Sequence, residues 1–256
     1  MSDEHVICRI DDRVCTLTIN RESRKNALSP EAIEAFHDCL DRVREDPEVR
    51  VVCITGSGGS AFCTGAELGD GLSDKSRAVF LRYAELLKKI HLYPKPTLAK
   101  VRGYCLAGGM GLMLACDISI ASDDSRFGTP EVNVGLWPMM IGALIFRNTL
   151  RKRAMEMILL GDRMSAEEAL SMGLLSRVSP APSLDREVND VIEKLASKSP
   201  IGIRIGKEAF NTMAGMPFEE ALDYLSGRFA EVAGTEDARE GITAFLEKRL
   251  PVFKGK

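Results

Sequence analysis

The stretch that decides the fold runs from Ala107 to Asp117 and reads AGGMGLMLACD. Two glycines stand near its start, an apolar run follows, and no charged side chain appears before Asp117. The run is too short to cross a membrane, so we interpret it as a buried helix. If the helix begins at Gly108, its first N–H groups have no partner within the helix and can bind a partial negative charge. The glycine pair is equally compatible with close packing of a helix against a strand.

The segments around this helix alternate between strands and helices. Val51–Ile54 is a short buried strand, residues 74–91 form an amphipathic helix, and Thr97–Val101 returns as a strand. Beyond the apolar helix, Asp117–Ala121 is another strand. A repeating strand–strand–helix or strand–helix order predicts an α/β core with parallel strand pairings.

The N-terminal segment predicts a hairpin followed by a helix. His5–Ile10 and Val14–Ile19 alternate apolar and polar residues on either side of a short polar turn, which is typical of two paired strands. Ser29 and Pro30 then favour a helix start, because serine caps the first turn and proline suits its first position.

From about residue 140 the pattern is helical to the end of the chain. Helical periods cover residues 185–198, 201–214, 217–233 and 235–249. We therefore predict a core over residues 1–195 and a helical C-terminal region over residues 196–256. The apolar residues of its last helices are predicted to pack on the core or on another subunit.

Composition and charge narrow the class of protein. The chain has 256 residues and a formal net charge of −3, which favours neither a nucleic acid nor an anionic membrane as a partner. Seven cysteines with no Cys-x-x-Cys pair predict reduced, buried thiols, and three histidines far apart in the sequence predict no metal site. The first residues, MSDEHVICRID, contain no apolar targeting segment, so we expect a cytoplasmic protein.

Two further segments are candidates for chemistry. Ala61–Leu68, AFCTGAEL, follows a strand and has small residues that would let a ligand approach the backbone, although such sequences are also common in surface loops. Glu131 is followed by fifteen uncharged residues, so its carboxylate stands at the edge of an apolar region. Burial there would raise its pKa and make it a better base near neutral pH. A solvated acid at a turn is the alternative.

Four motifs in order resemble the enoyl-CoA hydratase/isomerase (crotonase) superfamily. They are NRESRKNAL at 20–28, AFCTGAEL at 61–68, GYCLAGGMGLMLACD at 103–117 and RFGTPEVNVGLWP at 126–138. The similarity continues through GDRMSAEEALSMGLLSR at 161–177, so it covers nearly the whole chain.

The resemblance implies a crotonase-like (ClpP/crotonase) fold, with a core of repeated strand–strand–helix units and a helical C-terminal trimerisation region. It also implies trimers that often pair into hexamers. The ligand it implies is an acyl-CoA whose thioester oxygen lies between the backbone N–H groups of Ala66 and Gly108. Coenzyme A would enter as part of the substrate, and no metal or other cofactor is expected.

The resemblance also implies which residues contact coenzyme A. In the family, the adenine end of coenzyme A lies near the segments that match Lys25–Leu28 and Ala61–Leu68. The positions expected to contribute are Arg24, Lys25, Ala27, Ala61, Ala66, Leu68 and Gly111. Candidates for the acyl pocket are Phe80, Tyr83, Leu87, Trp137, Met139 and Met140, although residues of these types are more often core.

One position departs from the family pattern. Hydratases of this family carry two glutamates; the second is matched by Glu131, but the first falls on Gly111. Adding water conveniently uses two carboxylates, whereas moving a double bond needs one base that takes a proton from C2 and returns it at C4. The sequence therefore favours isomerisation of 3-enoyl-CoA to 2-enoyl-CoA by Glu131, with Gly111 leaving space for acyl chain or water.

Three alternatives remain open at this point. The first is a hydratase that uses Glu131 and a positioned water. The second is a specialised hydrolase or decarboxylase, and the third is a binding protein that has kept the fold and lost activity. Some relatives bind RNA, but the balanced charge and the lack of basic tracts argue against RNA here.

Overall fold

The N-terminal segment forms the predicted hairpin and helix. In the computed structural model, which describes residues 4–67 and 74–256, β1 (Val6–Asp11) and β2 (Val14–Ile19) pair antiparallel. The two residues between them, Asp12 and Arg13, both have positive φ, as a two-residue hairpin turn requires. Helix α1 (Pro30–Arg44) begins where predicted, because the Ser29 side chain accepts a hydrogen bond from the Ala32 amide.

Strand pairs and helices then repeat along the chain. The elements in order are β3 (Val51–Gly56), β4 (Ala61–Cys63), α2 (Asp74–His91), β5 (Thr97–Val101), β6 (Tyr104–Leu106), α3 (Gly108–Ala115), β7 (Ile118–Ser122) and β8 (Arg126–Gly128). Two strands, β9 (Met164–Ser165) and β10 (Arg177–Ser179), follow later. The predicted strand–strand–helix order of the core is confirmed.

The strands in the described part of the chain form two sheets. The larger has the order β1-β2-β3-β5-β7-β10 and the smaller the order β4-β6-β8-β9. Within each repeat the first strand joins the larger sheet and the second joins the smaller one. Pairing from β2 to β3 and onward through β5, β7 and β10 is parallel, as is pairing between β4, β6 and β8. This alternation brings the ends of β4, β6 and β8 to one edge, where the candidate site lies.

The second half of the chain is mostly helical, as predicted. Its helices are α4 (Met139–Asn148), α5 (Arg151–Leu160), α6 (Ala166–Ser171), α7 (Leu184–Ala196), α8 (Pro200–Met213), α9 (Phe218–Ala233) and α10 (Glu236–Leu246). Large apolar side chains on α8, α9 and α10 are exposed, among them Phe218 at 75% and Phe245 at 81%. Among the helices in the described part of the chain, none is both long and apolar enough to span a membrane.

Gly109 allows helix α3 to pack tightly against β4. A Cβ atom at this position would lie closer than 3.0 Å to the carbonyl oxygen and carbon of Cys63, and backbone atoms cannot move aside as a flexible side chain can. Of the two glycines at the start of α3, Gly109 therefore has the packing role that the sequence left open. Gly108 is free for another role.

We expect Gly109→Ala to lower the free energy of unfolding by about 1–3 kcal/mol, because the added methyl group must push the backbone of β4 aside. Denaturant unfolding of the variant beside the parent chain measures this. Gly142→Ala in α4 is the matched control, since a Cβ there meets nothing within 4 Å and alanine favours a helix. Equal stability of the Gly109 variant and the parent would contradict the packing role.

Candidate active site

A cavity of about 510 Å³ lies at the edge of the smaller sheet. Its walls come from the segment after β4, from α2, from the start of α3 and from residues 130–141. Most of its lining is apolar, and it includes five of the six predicted acyl-pocket residues. The described lining residues are Ile33, Thr64, Ala66, Val79, Phe80, Tyr83, Ala107, Gly108, Pro130, Glu131, Asn133, Val134, Leu136, Trp137, Pro138, Met139, Met140 and Ile141.

The amide of Ala66 is directed away from its neighbouring strand. Ala66 forms a parallel bridge with Leu28, in which the Leu28 amide donates to Gly65 and the Leu28 carbonyl accepts from Glu67. In such a bridge the N–H of the middle residue points to the opposite side. Because Ala66 also lines the cavity, its N–H is available to a ligand there.

Gly108 supplies a second amide. It is the first residue of α3, so its N–H has no acceptor within the helix. The preceding residue, Ala107, has φ 50° and ψ −127°, an unusual conformation for a residue with a side chain. The Ala107 amide donates to the Gly128 carbonyl at 3.0 Å, which ties this turn to β8.

The two amides are close together. A Cβ atom on Gly108 would lie 3.5 Å from the amide nitrogen of Ala66, and one on Gly65 would lie 3.1 Å from the amide nitrogen of Gly108. Each amide also follows a residue with positive φ, namely Gly65 at 101° and Ala107 at 50°. Two neighbouring N–H groups can donate to one oxygen and stabilise negative charge on it, which is the chemistry of an oxyanion hole.

Glu131 brings a carboxylate to the same cavity. It lies in a short 3₁₀ turn, Pro130–Val134, and its Oε2 atom is buried with no hydrogen-bond partner among the described residues. Burial raises the pKa of Glu131 above its ordinary value of 4.5, and a hydrogen bond from the backbone opposes only part of this effect. A buried, unpartnered carboxylate with a raised pKa is suited to take up a proton near neutral pH.

This raised pKa predicts a pH-dependent stability difference between the parent chain and Glu131→Gln. The folded state favours the protonated acid, and this preference contributes to the free energy of unfolding of the parent chain. The contribution is present in full below pH 4.5 and is lost as the pH rises through the pKa of Glu131 in the folded state. The neutral amide has no such loss. Denaturant unfolding from pH 4 to pH 8 should therefore show the variant gaining stability relative to the parent as the pH rises. A difference that is constant across this range would contradict the raised pKa.

The structure corrects the expectation for Gly111. This residue is buried in α3 and is not among the described lining residues. A Cβ atom there would lie 2.5 Å from Cγ2 of Ile141 and within 3.0 Å of the Tyr83 hydroxyl oxygen. The space that position 111 leaves is thus filled by protein side chains, not open to acyl chain or water. Cδ1 of Leu87 would lie 3.4 Å from the same Cβ atom. Leu87 is therefore buried beside position 111 and is not among the described residues that line the cavity.

The other residues expected to contact coenzyme A differ in their exposure to solvent. Arg24 and Lys25 are exposed, Ala27 is half-buried, and Leu68 lies outside the described residues. Ala61 is buried in β4, and its carbonyl oxygen accepts a hydrogen bond from the Asn26 side chain at 2.7 Å. The side chain of Ala61 therefore faces the protein interior and is closed to a ligand, in contrast to the expectation.

Sequence reasoning missed the role of Asn26. Its buried side chain accepts a hydrogen bond from the Arg21 amide at 3.0 Å and donates to the Ser57 and Ala61 carbonyls, so it joins the segment 21–28 to the residue after β3 and to β4. Its backbone is left-handed, with φ 55°, a conformation in which asparagine is enriched. The asparagine itself was a signal, since this residue is common in left-handed turns, but the carbonyl groups that it binds are distant in the sequence.

A second group missed from the sequence surrounds Tyr104. The Nζ of Lys25 lies 5.8 Å from the centre of this ring, and the guanidinium carbon of Arg163 lies 5.0 Å from it. Both cations are within the range of cation–π attraction. The arrangement adds Arg163 to the basic residues near the segment 24–28.

Among the residues that the structure describes, no group of three or more His, Cys, Asp or Glu side chains is placed to bind a metal ion.

Comparison with known proteins gives the family. A family model described as enoyl-CoA hydratase/isomerase matches residues 9–256. The chain belongs to this family. The resemblance that the four motifs indicated is therefore confirmed, and so is the fold that it implied.

Three similar proteins that match nearly the whole chain are named as hydratases. The (E)-benzylidenesuccinyl-CoA hydratase of Thauera aromatica is 34% identical over 254 residues, which are 98% of this chain and 99% of that protein. The short-chain-enoyl-CoA hydratase of Clostridium acetobutylicum is 30% identical over 261 residues, covering 100% of both. The crystal structure of an enoyl-CoA hydratase from Bacillus anthracis superposes with a TM-score of 0.94 at 32% identity, covering 98% of this chain and 100% of that one.

Proposed function

We propose that this chain isomerises 3-enoyl-CoA to 2-enoyl-CoA with Glu131 as its proton-transfer group. The observation that carries the proposal is Oε2 of Glu131, which is buried and has no hydrogen-bond partner among the described residues, at an apolar cavity that Ala66 and Gly108 also line. Glu131 is the one carboxylate among the described residues of that lining. The position that would hold a second glutamate is Gly111, and side chains of α2 and α4 fill the space beside it.

The reaction follows from these groups. The thioester oxygen accepts hydrogen bonds from Ala66 and Gly108, which stabilise the negative charge that develops when a proton leaves C2. Glu131 takes that proton as a base and returns it at C4 as an acid, so the double bond moves and the carboxylate is regenerated. One group suffices because the same proton acceptor becomes the donor.

The acyl and coenzyme A parts of the substrate would meet different surroundings. The acyl chain would lie among apolar side chains such as Phe80, Trp137 and Met140. The phosphates would lie near the exposed Arg24 and Lys25. The proposed proton transfer needs no metal or redox cofactor, and coenzyme A enters with the substrate. The expected cytoplasmic location stays a prediction; relatives include a protein named as mitochondrial.

The experiment is a comparison of two substrates with identification of the products. The purified chain is incubated with trans-3-hexenoyl-CoA and, separately, with trans-2-hexenoyl-CoA, and the products are separated and weighed by mass spectrometry. Isomerisation conserves mass, whereas hydration adds one water. Faster conversion of the 3-enoyl ester without added mass supports the proposal, and conversion of the 2-enoyl ester alone contradicts it.

Hydration with a single glutamate is the second candidate function. The names of the relatives favour it, because the matched proteins of Thauera aromatica and Clostridium acetobutylicum are both called hydratases. In this mechanism Glu131 would take a proton from a positioned water as its oxygen bonds to C3, and would then return that proton to C2, so that one water is added and the carboxylate is regenerated. The same incubation distinguishes it, since trans-2-hexenoyl-CoA would then gain one water at a rate above that of isomerisation.

We also propose that the chain assembles as a homotrimer, alone or as a dimer of trimers, through residues 196–256. The exposed apolar side chains of α8, α9 and α10 support this, because a monomer would leave Phe218, Phe229 and Phe245 in water. Multi-angle light scattering after gel filtration measures the mass in solution. A monomer of 28.0 kDa at micromolar concentration would contradict the assembly.

A further inference from the structure

The hydroxyl of Tyr83 lies beside Gly108 and Gly111 and has no part in the proposed proton transfer. Tyr83 belongs to α2, is 5% exposed and lines the cavity. Its hydroxyl donates a hydrogen bond to the carbonyl oxygen of Gly108. It also fills the space where a side chain at position 111 would begin.

The hydrogen-bond partner matters because Gly108 also supplies an amide to the cavity. The orientation of that amide depends on Ala107, whose positive φ is costly for a residue with a Cβ atom. Such a conformation persists only when surrounding contacts hold it. Two hydrogen bonds hold this turn. The Ala107 amide donates to the Gly128 carbonyl, and the Tyr83 hydroxyl donates to the Gly108 carbonyl.

We propose that Tyr83 is a positioning residue for the Gly108 half of the oxyanion hole, replacing in space the side chain that Gly111 lacks. The inference rests on the proposed function. The phenol anchors residue 108 through its carbonyl, so the N–H of the same residue stays directed at the thioester oxygen. Burial also raises the pKa of Tyr83 well above its ordinary value, so the group remains a neutral donor and does not compete with Glu131 as a base.

The test uses the absorption spectrum of a bound thioester. Hydrogen bonds to the carbonyl of a conjugated acyl-CoA stabilise its charge-separated excited state and shift its absorption to longer wavelength. The probe is trans,trans-2,4-hexadienoyl-CoA, and binding is measured in a Glu131→Gln background to suppress turnover. We expect a red shift with Glu131→Gln alone. Adding Tyr83→Phe should reduce that shift while the dissociation constant changes by less than about threefold.

The kinetic arm uses the single variant. Tyr83→Phe keeps the aromatic ring and removes one hydrogen bond, so kcat for trans-3-hexenoyl-CoA should fall on the order of tenfold, as the loss of one such bond predicts. KM should change by less than about threefold, because the amide acts on charge that develops in the transition state.

Tyr93→Phe is the matched control. Tyr93 is also a buried phenol that donates to a backbone carbonyl, that of Leu40 at 2.6 Å, but it does not line the cavity described here. Tyr93→Phe should lower the free energy of unfolding by about as much as Tyr83→Phe does, and it should leave the red shift and kcat unchanged. A Tyr83→Phe variant that behaves like this control would overturn the inference. A probe that binds to Glu131→Gln without any red shift would instead overturn the oxyanion hole, and with it the proposed function.

Discussion

Glu131→Gln should lower kcat for 3-enoyl-CoA by about 10²- to 10⁴-fold, the usual contribution of a positioned acid or base. The amide keeps the size of the side chain but cannot accept and return the proton. Binding should change little, because the Ala66 and Gly108 amides and the apolar lining remain. Steady-state kinetics with trans-3-hexenoyl-CoA and equilibrium binding of a saturated acyl-CoA measure the two effects separately.

The control for this variant is Asp124→Asn. Asp124 is an exposed acid in the turn between β7 and β8 and is not among the described residues that line the cavity. Its replacement should leave kcat and KM unchanged. Undiminished turnover by Glu131→Gln would remove Glu131 from the mechanism, and an equal loss in both variants would indicate a general effect of charge.

Elements with strong local signals could be predicted from the sequence. Ser29 and Pro30 start α1 as expected. At the start of α6, Ser165 and Glu168 form a capping box, which a serine followed three residues later by a glutamate favours. These features depend on side chains that act within one turn of backbone. Asp117 stands at the junction between α3 and β7, and its carboxylate accepts a hydrogen bond from the Thr97 amide at 2.7 Å. Local chemistry was sufficient for the two helix starts, whereas the hydrogen bond between Thr97 and Asp117 joins residues that are distant in the sequence.

The strands of the smaller sheet could not be predicted in this way. β4, β6 and β8 have three residues each, which is too short for a period of two to show. They are strands because the parallel repeats bring them side by side. Their position matters for function, since the residues after β4 and β6 supply the two amides of the site.

The site itself was predictable in part. The sequence placed Glu131 at the edge of an apolar region, and the structure buries one of its oxygens, although its role in catalysis stays a prediction. The sequence also showed that position 111 lacks a side chain. It could not show what fills that space, because Tyr83 and Ile141 come from α2 and α4 and meet α3 only through tertiary packing.

Gly111→Glu should destabilise the chain strongly for this reason. Its Cβ alone would overlap the Tyr83 hydroxyl and Cγ2 of Ile141, and overpacking of this kind costs about 1–3 kcal/mol. Burial of an unpaired carboxylate adds to the cost. Gly111→Ala separates the two effects, because it introduces the overlap without the charge. Denaturant unfolding should rank the parent chain above Gly111→Ala and Gly111→Glu last.

Making room for a glutamate at position 111 should change the reaction. In the double variant Tyr83→Ala/Ile141→Ala, the two side chains that meet this position are shortened, so Gly111→Glu should cost less stability there than in the original chain. The added carboxylate would then lie beside the Glu131 cavity, and two carboxylates can orient a water and deliver a proton. The ratio of hydration to isomerisation should therefore rise when Gly111→Glu is combined with the double variant. If that ratio stays the same while the triple variant folds, the absence of a side chain at position 111 does not decide between the two reactions.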